Sequence, residues 1–233
     1  MITLRQFSYK PESIPMSTSW YLADLGETRG RQELFTRQAP QKLKVLREHA
    51  LIESAVSSNR IEGVAVDQAR IHTIVFGKSH LRDRDEEEVR GYRNGLNLIH
   101  ESTKLLISED TIRRLHKLVK GDIWDAGQYK DKDGDIIEKY PDGTSRVRFK
   151  TVSPDLTPTY MLKLLDLWNQ CLNEKWVHPL IAMAAFNLDF LCIHPFRDGN
   201  GRVSRLLFLL QCYSLGYEVG RYISIERIIE QTK

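Results

Sequence analysis

Apolar residues recur at helical spacing through most of the chain, and this periodicity is the feature that most restricts the fold. Several of the periodic stretches are bounded by Ser, Pro or Gly, as helix ends often are. The predicted helices cover 41–57, 66–76, 86–106, 108–121, 157–172, 178–193, 200–215 and 223–229. One region, Gly127 to Pro154, breaks the pattern.

This break carries the signals of a β-hairpin. Short pieces containing β-branched residues, Ile136–Ile137 and Arg146–Phe149, flank the dipeptide Asp142–Gly143. Asp-Gly between such pieces is typical of a tight hairpin turn. The predicted fold class is therefore all-α, a helical bundle with one inserted β-hairpin.

Composition limits the function classes. Lysine and arginine exceed aspartate and glutamate by 34 − 31 = 3 residues, without a long basic run, which allows an anionic ligand but does not indicate nucleic acid. Cys171, Cys192 and Cys212 are widely spaced, which favours buried thiols over disulfides or a zinc site. The longest apolar run, Leu206–Leu210, is too short to span a bilayer and no signal region precedes it. We expect a cytoplasmic protein with no membrane contact.

The segment from His194 to Arg205 concentrates groups that suit a chain of phosphates. Glycines at the start of a helix let backbone N–H groups converge on an anion. Arg202 and Arg205 share one helix face, Asp198 is a carboxylate suited to Mg²⁺, and His194 can act as a general base. Each element alone is usually a helix boundary, a turn or a solvated face. Their combination within twelve residues predicts a phosphoryl- or nucleotidyl-transfer site.

The segment reads His-Pro-Phe-x-Asp-Gly-Asn-Gly-Arg-x-x-Arg, which resembles the signature of Fic domains without a departure. The matching residues are His194, Pro195, Phe196, Asp198, Gly199, Asn200, Gly201, Arg202 and Arg205. The resemblance covers roughly Glu86 to Tyr217 as a core and extends to the N-terminal helices. It implies a protein adenylyltransferase that moves AMP from ATP to a hydroxyl of a target protein, with release of pyrophosphate.

The resemblance also implies residue roles. His194 would take the proton of the target hydroxyl, and Asp198 would hold Mg²⁺ between the α- and β-phosphates. The α- and β-phosphates would lie on Gly199, Asn200 and Gly201. Arg202 would contact the β-phosphate side and Arg205 the γ-phosphate.

A second motif, Ser58-Asn-Arg-Ile-Glu62-Gly63, reads by itself as a helix end with Gly63 as the cap. Beside a Fic loop it resembles the inhibitory helix of that family, in the class where this helix precedes the core. The resemblance implies that Glu62 pairs with Arg205 and takes the place of the γ-phosphate. A related hypothesis is that Glu62 supports removal of AMP from the target.

The insertion resembles the flap of the family, whose free strand edge can align a target segment. Ile136 and Ile137 are the candidates for this edge; the alternative is that they pack on the helical core. The other histidines lack companions at ligand spacing and receive no role.

The expected organisation is an N-terminal region with the inhibitory helix (1–80), a catalytic core (81–220) and the start of a C-terminal helix (221–233). The expected partners are ATP and a target protein, which is unidentified and can be the chain itself; homo-oligomers are possible. Transfer of UMP, phosphate or phosphocholine on the same fold is one alternative. A helical nucleic-acid-binding or scaffolding protein is the other.

Overall fold

The structure is a computed structural model that describes residues 2–9, 14–38, 40–78, 80–102, 105–140 and 142–232. Within these ranges the chain forms ten α-helices and one two-stranded antiparallel sheet, which confirms the predicted fold class. The helices are α1 (Thr3–Gln6), α2 (Met16–Gln38), α3 (Pro40–Ile61), α4 (Ile71–Phe76), α5 (Arg84–Glu101), α6 (Glu109–Lys120), α7 (Thr157–Glu174), α8 (Pro179–Ile193), α9 (Asn200–Ser214) and α10 (Ile225–Gln231). The strands are β1 (Ile136–Lys139) and β2 (Ser145–Phe149).

Side-chain caps explain where several helices depart from the predicted bounds. Helix α5 begins two residues earlier than predicted because Asp83 accepts a hydrogen bond from the N–H of Glu86. It ends at Glu101 rather than at 106, since Ser102 has extended backbone angles. The predicted helix 66–76 is a short 3₁₀ turn followed by α4, and Asp67 caps that turn. Helix α10 begins after Ser224, which caps it in the same way.

Helix α8 is the helix that carries His194 at its end. It packs against α1, α7 and α9, which explains why it is apolar around most of its circumference. Its aromatic residues Phe186 and Phe190 are fully buried, and Phe186 meets Trp168 of α7 edge to face. This packing fixes the C-terminal end of α8, where His194 lies.

Helix α1 is fixed to α8 by a buried carboxylate. Asp189 accepts hydrogen bonds from the backbone N–H groups of Thr3 at 2.8 Å and Leu4 at 3.1 Å. A carboxylate at the first N–H groups of a helix satisfies donors that have no partner within the helix. The N-terminal residues Ile2 and Leu4 are thereby held in the core.

Helices α5 and α10 flank α3, which carries the second motif. Arg60 of α3 forms an ion pair with Glu230 of α10 at 3.0 Å. The buried hydroxyl of Tyr92 on α5 donates to the buried carboxylate of Glu226 on α10 at 2.9 Å. The C-terminal helix therefore braces both α3 and α5.

The hairpin matches its predicted position. Ile137 pairs with Val147 and Lys139 with Ser145, and a bulge separates Ile136 from Ile137. Gly143 has φ +83°, a left-handed conformation that glycine adopts without strain. Pro141, part of the predicted turn, lies outside the described residues.

The three cysteines are free thiols; Cys171 and Cys212 are buried as predicted, whereas Cys192 is only partly buried. None of the helices in the described ranges has the length and apolar character needed to cross a membrane.

Candidate active site

His194 ends α8 in a left-handed backbone conformation, with φ 53° and ψ 61°. Its N–H still donates to the carbonyl of Phe190 at 2.9 Å, and Pro195 then prevents the helix from continuing. A non-glycine residue in this region costs about 1 kcal/mol or more and persists only where its surroundings hold it. The loop from His194 to Gly199 is therefore fixed at its first residue.

Phe196 anchors the loop in the core. Its side chain is fully buried and stacks on the imidazole of His116, with ring centroids 3.8 Å apart and planes inclined by 4°. His116 Nδ1 accepts from the N–H of Gly127 at 2.8 Å, so Nε2 carries the proton and donates to the carbonyl of Asp198 at 3.0 Å. Burial lowers the pKa of His116 to about 4.

Asn200 closes the loop on itself. Its side-chain oxygen accepts from the N–H of Phe196 at 2.9 Å, and its amide donates to the carbonyl of Phe196 at 2.7 Å. Both ends of the buried side chain are thus engaged within the loop. What Asn200 offers outward is its backbone N–H, at the start of α9.

Gly199 precedes α9 with φ +82°, which favours glycine, and the N–H groups of the first turn of α9 lack partners within the helix. The carboxylate of Glu62 lies against this turn: a Cβ atom added at Gly201 would clash with Glu62 Oε1. A negative group at the N-terminus of a helix is electrostatically favoured. The structure therefore places a carboxylate where the sequence predicts phosphates.

Glu62 lies directly after α3. The N–H of Gly63 donates to the carbonyl of Arg60, the N–H of Val64 donates to that of Asn59, and Gly63 has φ +85°. This is a Schellman ending, in which glycine supplies the left-handed residue. The cap that the sequence predicts at Gly63 is confirmed, and it turns Glu62 toward α9.

Arg205 joins the second motif to the loop. Its Nη2 lies 2.7 Å from Glu62 Oε1 and 2.9 Å from the carbonyl of Ser58, and its Nε donates to the hydroxyl of Ser58 at 2.8 Å. The guanidinium is mostly buried, whereas the side chain of Glu62 is 36% exposed. Ser58 and Glu62 lie 147 and 143 positions from Arg205 in sequence, and the pairing of Glu62 with Arg205 is the one that the resemblance implies.

Asp198 projects to the surface from the loop, with 64% of its side chain exposed. Oδ1 accepts from the N–H of Gly199, and Oδ2 accepts from Lys120 Nζ at 2.5 Å. Burial of the carboxyl group favours its neutral form, but the hydrogen bond and charge of Lys120 outweigh this and lower the pKa of Asp198. The carboxylate is therefore charged at neutral pH.

Arg202 points into the protein. Its Nη1 donates to the buried carboxylate of Glu88 at 2.5 Å, while Nη2 lies 3.6 Å from Asp198 Oδ2. Lys120 also contacts Glu88, at 3.3 Å. Sequence reasoning missed Glu88 and Lys120, because neither belongs to a motif and both meet the loop only through the packing of α5 and α6.

The imidazole of His194 is half-buried, and burial lowers its pKa below the ordinary value. The carbonyl of Leu191, 3.4 Å from Nδ1, opposes this shift, and the charge of Lys130 adds to it. Since a carbonyl oxygen only accepts, this contact favours the proton on Nδ1 and leaves a lone pair on Nε2. The ring is thus suited to accept a proton at neutral pH.

The predicted docking residues lie on β1, whose second edge is unpaired among the described residues. Ile136 is 37% exposed and Ile137 54% exposed, so neither is packed fully on the helical core. Among all the residues that the structure describes, no group of three or more histidine, cysteine, aspartate or glutamate side chains is arranged to hold a metal ion.

Comparison with known proteins identifies the domain. Residues 106–212, from the segment before α6 to near the end of α9, match the Fic/DOC family. The matched segment, 107 of the 233 residues, is a Fic/DOC domain. The match includes the whole loop from His194 to Arg205, whereas Ser58 and Glu62 precede it.

Relatives extend the similarity beyond the matched segment. The chain is 29% identical over 195 residues to "Protein adenylyltransferase Fic" of Nematostella vectensis, covering 76% of this chain and 41% of that protein. It therefore spans less than half the length of this relative. The crystal structure of a Fic family protein from Desulfovibrio desulfuricans is also similar, with a TM-score of 0.75 and 26% sequence identity. The match covers 95% of this chain and 64% of that protein. A Fic-domain signaling protein from Bacteroides thetaiotaomicron, with TM-score 0.69 and 24% identity, shares the fold.

Proposed function

We propose that the protein transfers AMP from ATP to a hydroxyl group of a protein substrate and that Glu62 holds this activity in check. The observation that carries the proposal is the contact of Glu62 with both Arg205 and the first turn of α9. A carboxylate bound at a guanidinium and a helix N-terminus occupies a site built for an anion. The names of relatives such as the Nematostella protein support AMP as the transferred group.

The triphosphate lies along the N-terminus of α9 in this proposal. Backbone N–H groups from Gly199 to Gly201 bind its α- and β-phosphates, and Arg205 binds the γ-phosphate once Glu62 has withdrawn. Arg202 is held by Glu88 behind the loop, so it supplies positive charge near Asp198 and the β-phosphate. The backbone N–H groups, Arg205 and Arg202 together fix which phosphorus atom faces the nucleophile, and this orientation sets the rate of transfer.

His194 acts as the general base. Its Nε2 accepts the proton of the target hydroxyl while the hydroxyl oxygen attacks the α-phosphorus. A new P–O bond forms, the bond from the α-phosphorus to the oxygen bridging to the β-phosphate breaks, and pyrophosphate leaves with the bonding electrons. Burial keeps the imidazole unprotonated at neutral pH, as the role requires.

Asp198 would hold Mg²⁺. The exposed, ionised carboxylate fits an ion that takes one or two protein ligands and completes its shell with phosphate oxygens and water. The ion would neutralise charge on the phosphates. Because Lys120 already donates a hydrogen bond to Oδ2, this oxygen would be only partly available to the ion. Phosphate oxygens would supply the other ligands.

The organisation that we propose is an N-terminal region with the inhibitory helix (1–80), a catalytic core (81–220) and a C-terminal helix that braces the first two (221–233). The exposed edge of β1, with Ile136 and Ile137, aligns the target segment by main-chain hydrogen bonds. The target is another protein or a second copy of the chain.

The proposal is tested with Glu62→Gly, ATP labelled in the α-phosphate, and the cell lysate of origin. Glu62→Gly is expected to raise label transfer to protein, itself included, by at least about tenfold, because removing a carboxylate opposite a mostly buried guanidinium frees an interaction worth about 1.5–3 kcal/mol for the γ-phosphate. Adding His194→Ala to Glu62→Gly is expected to abolish transfer. Glu48→Gly, on an exposed part of the same helix, controls for loosening of α3 and should leave transfer at the wild-type level.

Mass spectrometry of the labelled protein separates AMP from UMP, phosphate or phosphocholine by the added mass. Equal labelling by wild type and Glu62→Gly at every ATP concentration would remove the inhibitory role. A different added mass, or DNA binding that depends on salt without nucleotide binding, would replace the proposed reaction.

A further inference from the structure

Lys130, near the start of the insertion, binds the backbone on both sides of His194. Its own N–H donates to the carbonyl of Pro195 at 2.9 Å. Its ammonium group donates to the carbonyl of Ile193 at 3.1 Å and to the hydroxyl of Thr151 at 2.8 Å. The residue is 5% exposed.

The position of the ammonium group matches the electrostatics of a helix end. Ile193 is the last residue of α8, so its carbonyl accepts no hydrogen bond from within the helix. This carbonyl carries part of the negative end of the helix dipole. A positive group bonded there is favoured. The same bond restrains the peptide unit between Ile193 and His194, whose left-handed conformation is intrinsically unfavourable.

Packing alone does not explain a lysine here. Among the described residues no carboxylate lies within ion-pair distance of the buried ammonium, and burial lowers the pKa of Lys130, although the charges of Asp133 and Asp135 oppose this shift. An apolar side chain of similar volume would avoid the cost of burying that charge. The direct partners of the ammonium group are the carbonyl of Ile193 and the hydroxyl of Thr151.

We propose that Lys130 is the positioning residue for His194: it clamps the carbonyls that flank the histidine, fixes the direction of the imidazole, and joins it to the flap. The proposal rests on the proposed function, in which His194 is the base. The link to the flap runs through Thr151 at the other end of the insertion, whose N–H donates to Asp135 at 3.1 Å and whose hydroxyl donates to the carbonyl of Gly134 at 3.2 Å. A target strand docked on the flap and the general base are thereby held on one rigid frame.

The charge of Lys130 has a second effect. The ammonium group opposes protonation of the nearby imidazole, while Asp198 and Glu62 favour it. In the Glu62→Gly protein one of these two carboxylates is absent. Removing the ammonium group there leaves Asp198 as the remaining charged group in this set, so the pKa of His194 is expected to rise.

The test compares Lys130→Met with Lys130→Arg, both in the Glu62→Gly protein. Lys130→Met keeps the volume of the stem but removes the donors, and we expect kcat to fall by about 10-fold to 100-fold, the range that a misplaced catalytic group produces. The KM for ATP should change by less than about twofold, because the phosphate-binding groups are untouched. Lys130→Arg should recover part of kcat, since it restores donors and charge. Lys132→Met, an exposed lysine two residues away, is the matched control and should leave both parameters unchanged.

NMR titration of the histidine ring signals gives a readout that needs no activity. The signal of His194, assigned by its loss in His194→Ala, should titrate at higher pH in Lys130→Met than in the parent protein, and the acid limb of the kcat profile should move with it. Thr151→Val removes one acceptor of the ammonium group and should also lower kcat, by a smaller factor than Lys130→Met. This variant replaces Lys130→Met in the test if Lys130→Met does not fold. Unchanged kcat and an unchanged His194 titration in folded variants would overturn the proposal. Absence of transfer in the Glu62→Gly parent would instead refute the proposed function, while the titration would still report on the clamp.

Discussion

Glu88 is the residue on which three basic side chains of the site converge. Arg202, Lys120 and Arg84 lie within 3.4 Å of its carboxylate, which is 10% exposed. Burial favours the neutral acid, but the charges and hydrogen bonds of Arg202 and Lys120 outweigh it and lower the pKa of Glu88. The phosphate-binding loop therefore rests on a charged cluster behind it.

Replacing Glu88 by alanine leaves two buried cations without this counter-charge. We expect a loss of about 3–5 kcal/mol in the free energy of unfolding, the range found when one partner of a buried ion pair is removed. Chemical denaturation at pH 7 measures it. Glu87→Ala, which removes the exposed neighbour that pairs with Arg84 at 3.1 Å, should cost less than about 1 kcal/mol. Equal losses in the two variants would show that the cluster behind the loop contributes no more than a surface pair.

The sequence predicts the residues of the loop but not those that support it. His194 to Arg205 form one continuous segment, so their proximity follows from the sequence itself. Glu88, His116, Lys120 and Lys130 lie 63 to 114 positions from the loop groups that they bind. Their contacts arise from helix packing, and no single-sequence pattern separates them from solvated charges.

At the level of elements, strong periodicity and turn chemistry predict the central helices and the hairpin well. Helices α1 and α2 are not among the predicted helices. Helix α1 has only four residues, and α2 is largely exposed with apolar residues that do not form a stripe along one face, so periodicity gives no signal. Besides its contacts with α3, α2 makes polar contacts with the segment after α9, where the side chain of Gln32 donates to the carbonyl of Gly216 at 2.8 Å and accepts from the N–H of Glu218 at 2.7 Å. Tertiary contacts of this kind cannot be predicted from local sequence.

Helix α10 is coupled to α5 through one buried hydrogen bond, and this coupling can be measured. Tyr92→Phe removes the hydroxyl that donates to Glu226, which is 2% exposed, so a buried carboxylate loses a donor. We expect a loss of about 1–3 kcal/mol in the free energy of unfolding. Tyr213→Phe is the matched control, because its buried hydroxyl has no hydrogen-bond partner among the described residues. This second change should cost less than about 0.5 kcal/mol; a cost equal to that of Tyr92→Phe would exclude a specific role for the Tyr92–Glu226 bond.

For the whole molecule, the packing of the helices buries groups that titrate, and this makes stability depend on pH. His100 of α5 lies against Tyr213 and near Arg221, and its Nε2 has no hydrogen-bond partner among the described residues. Burial, followed by the charges of Arg221 and Arg47, lowers the pKa of His100 to about 4. The folded protein therefore keeps this ring neutral at pH values where the unfolded chain protonates it.

The sign follows from proton linkage. Between the unfolded pKa of about 6.5 and the folded value of about 4, the unfolded state binds more protons at this site, so the free energy of unfolding falls as the pH falls. At pH 5 the contribution of His100 amounts to about 2 kcal/mol relative to pH 7. Denaturation of wild type and His100→Asn at pH 7 and pH 5 isolates it, because all other titrating groups remain in both proteins. The loss of stability between the two pH values should be smaller in His100→Asn by about that amount; the same loss in both would mean that His100 is protonated within the folded protein and that the core around α5 admits the charge.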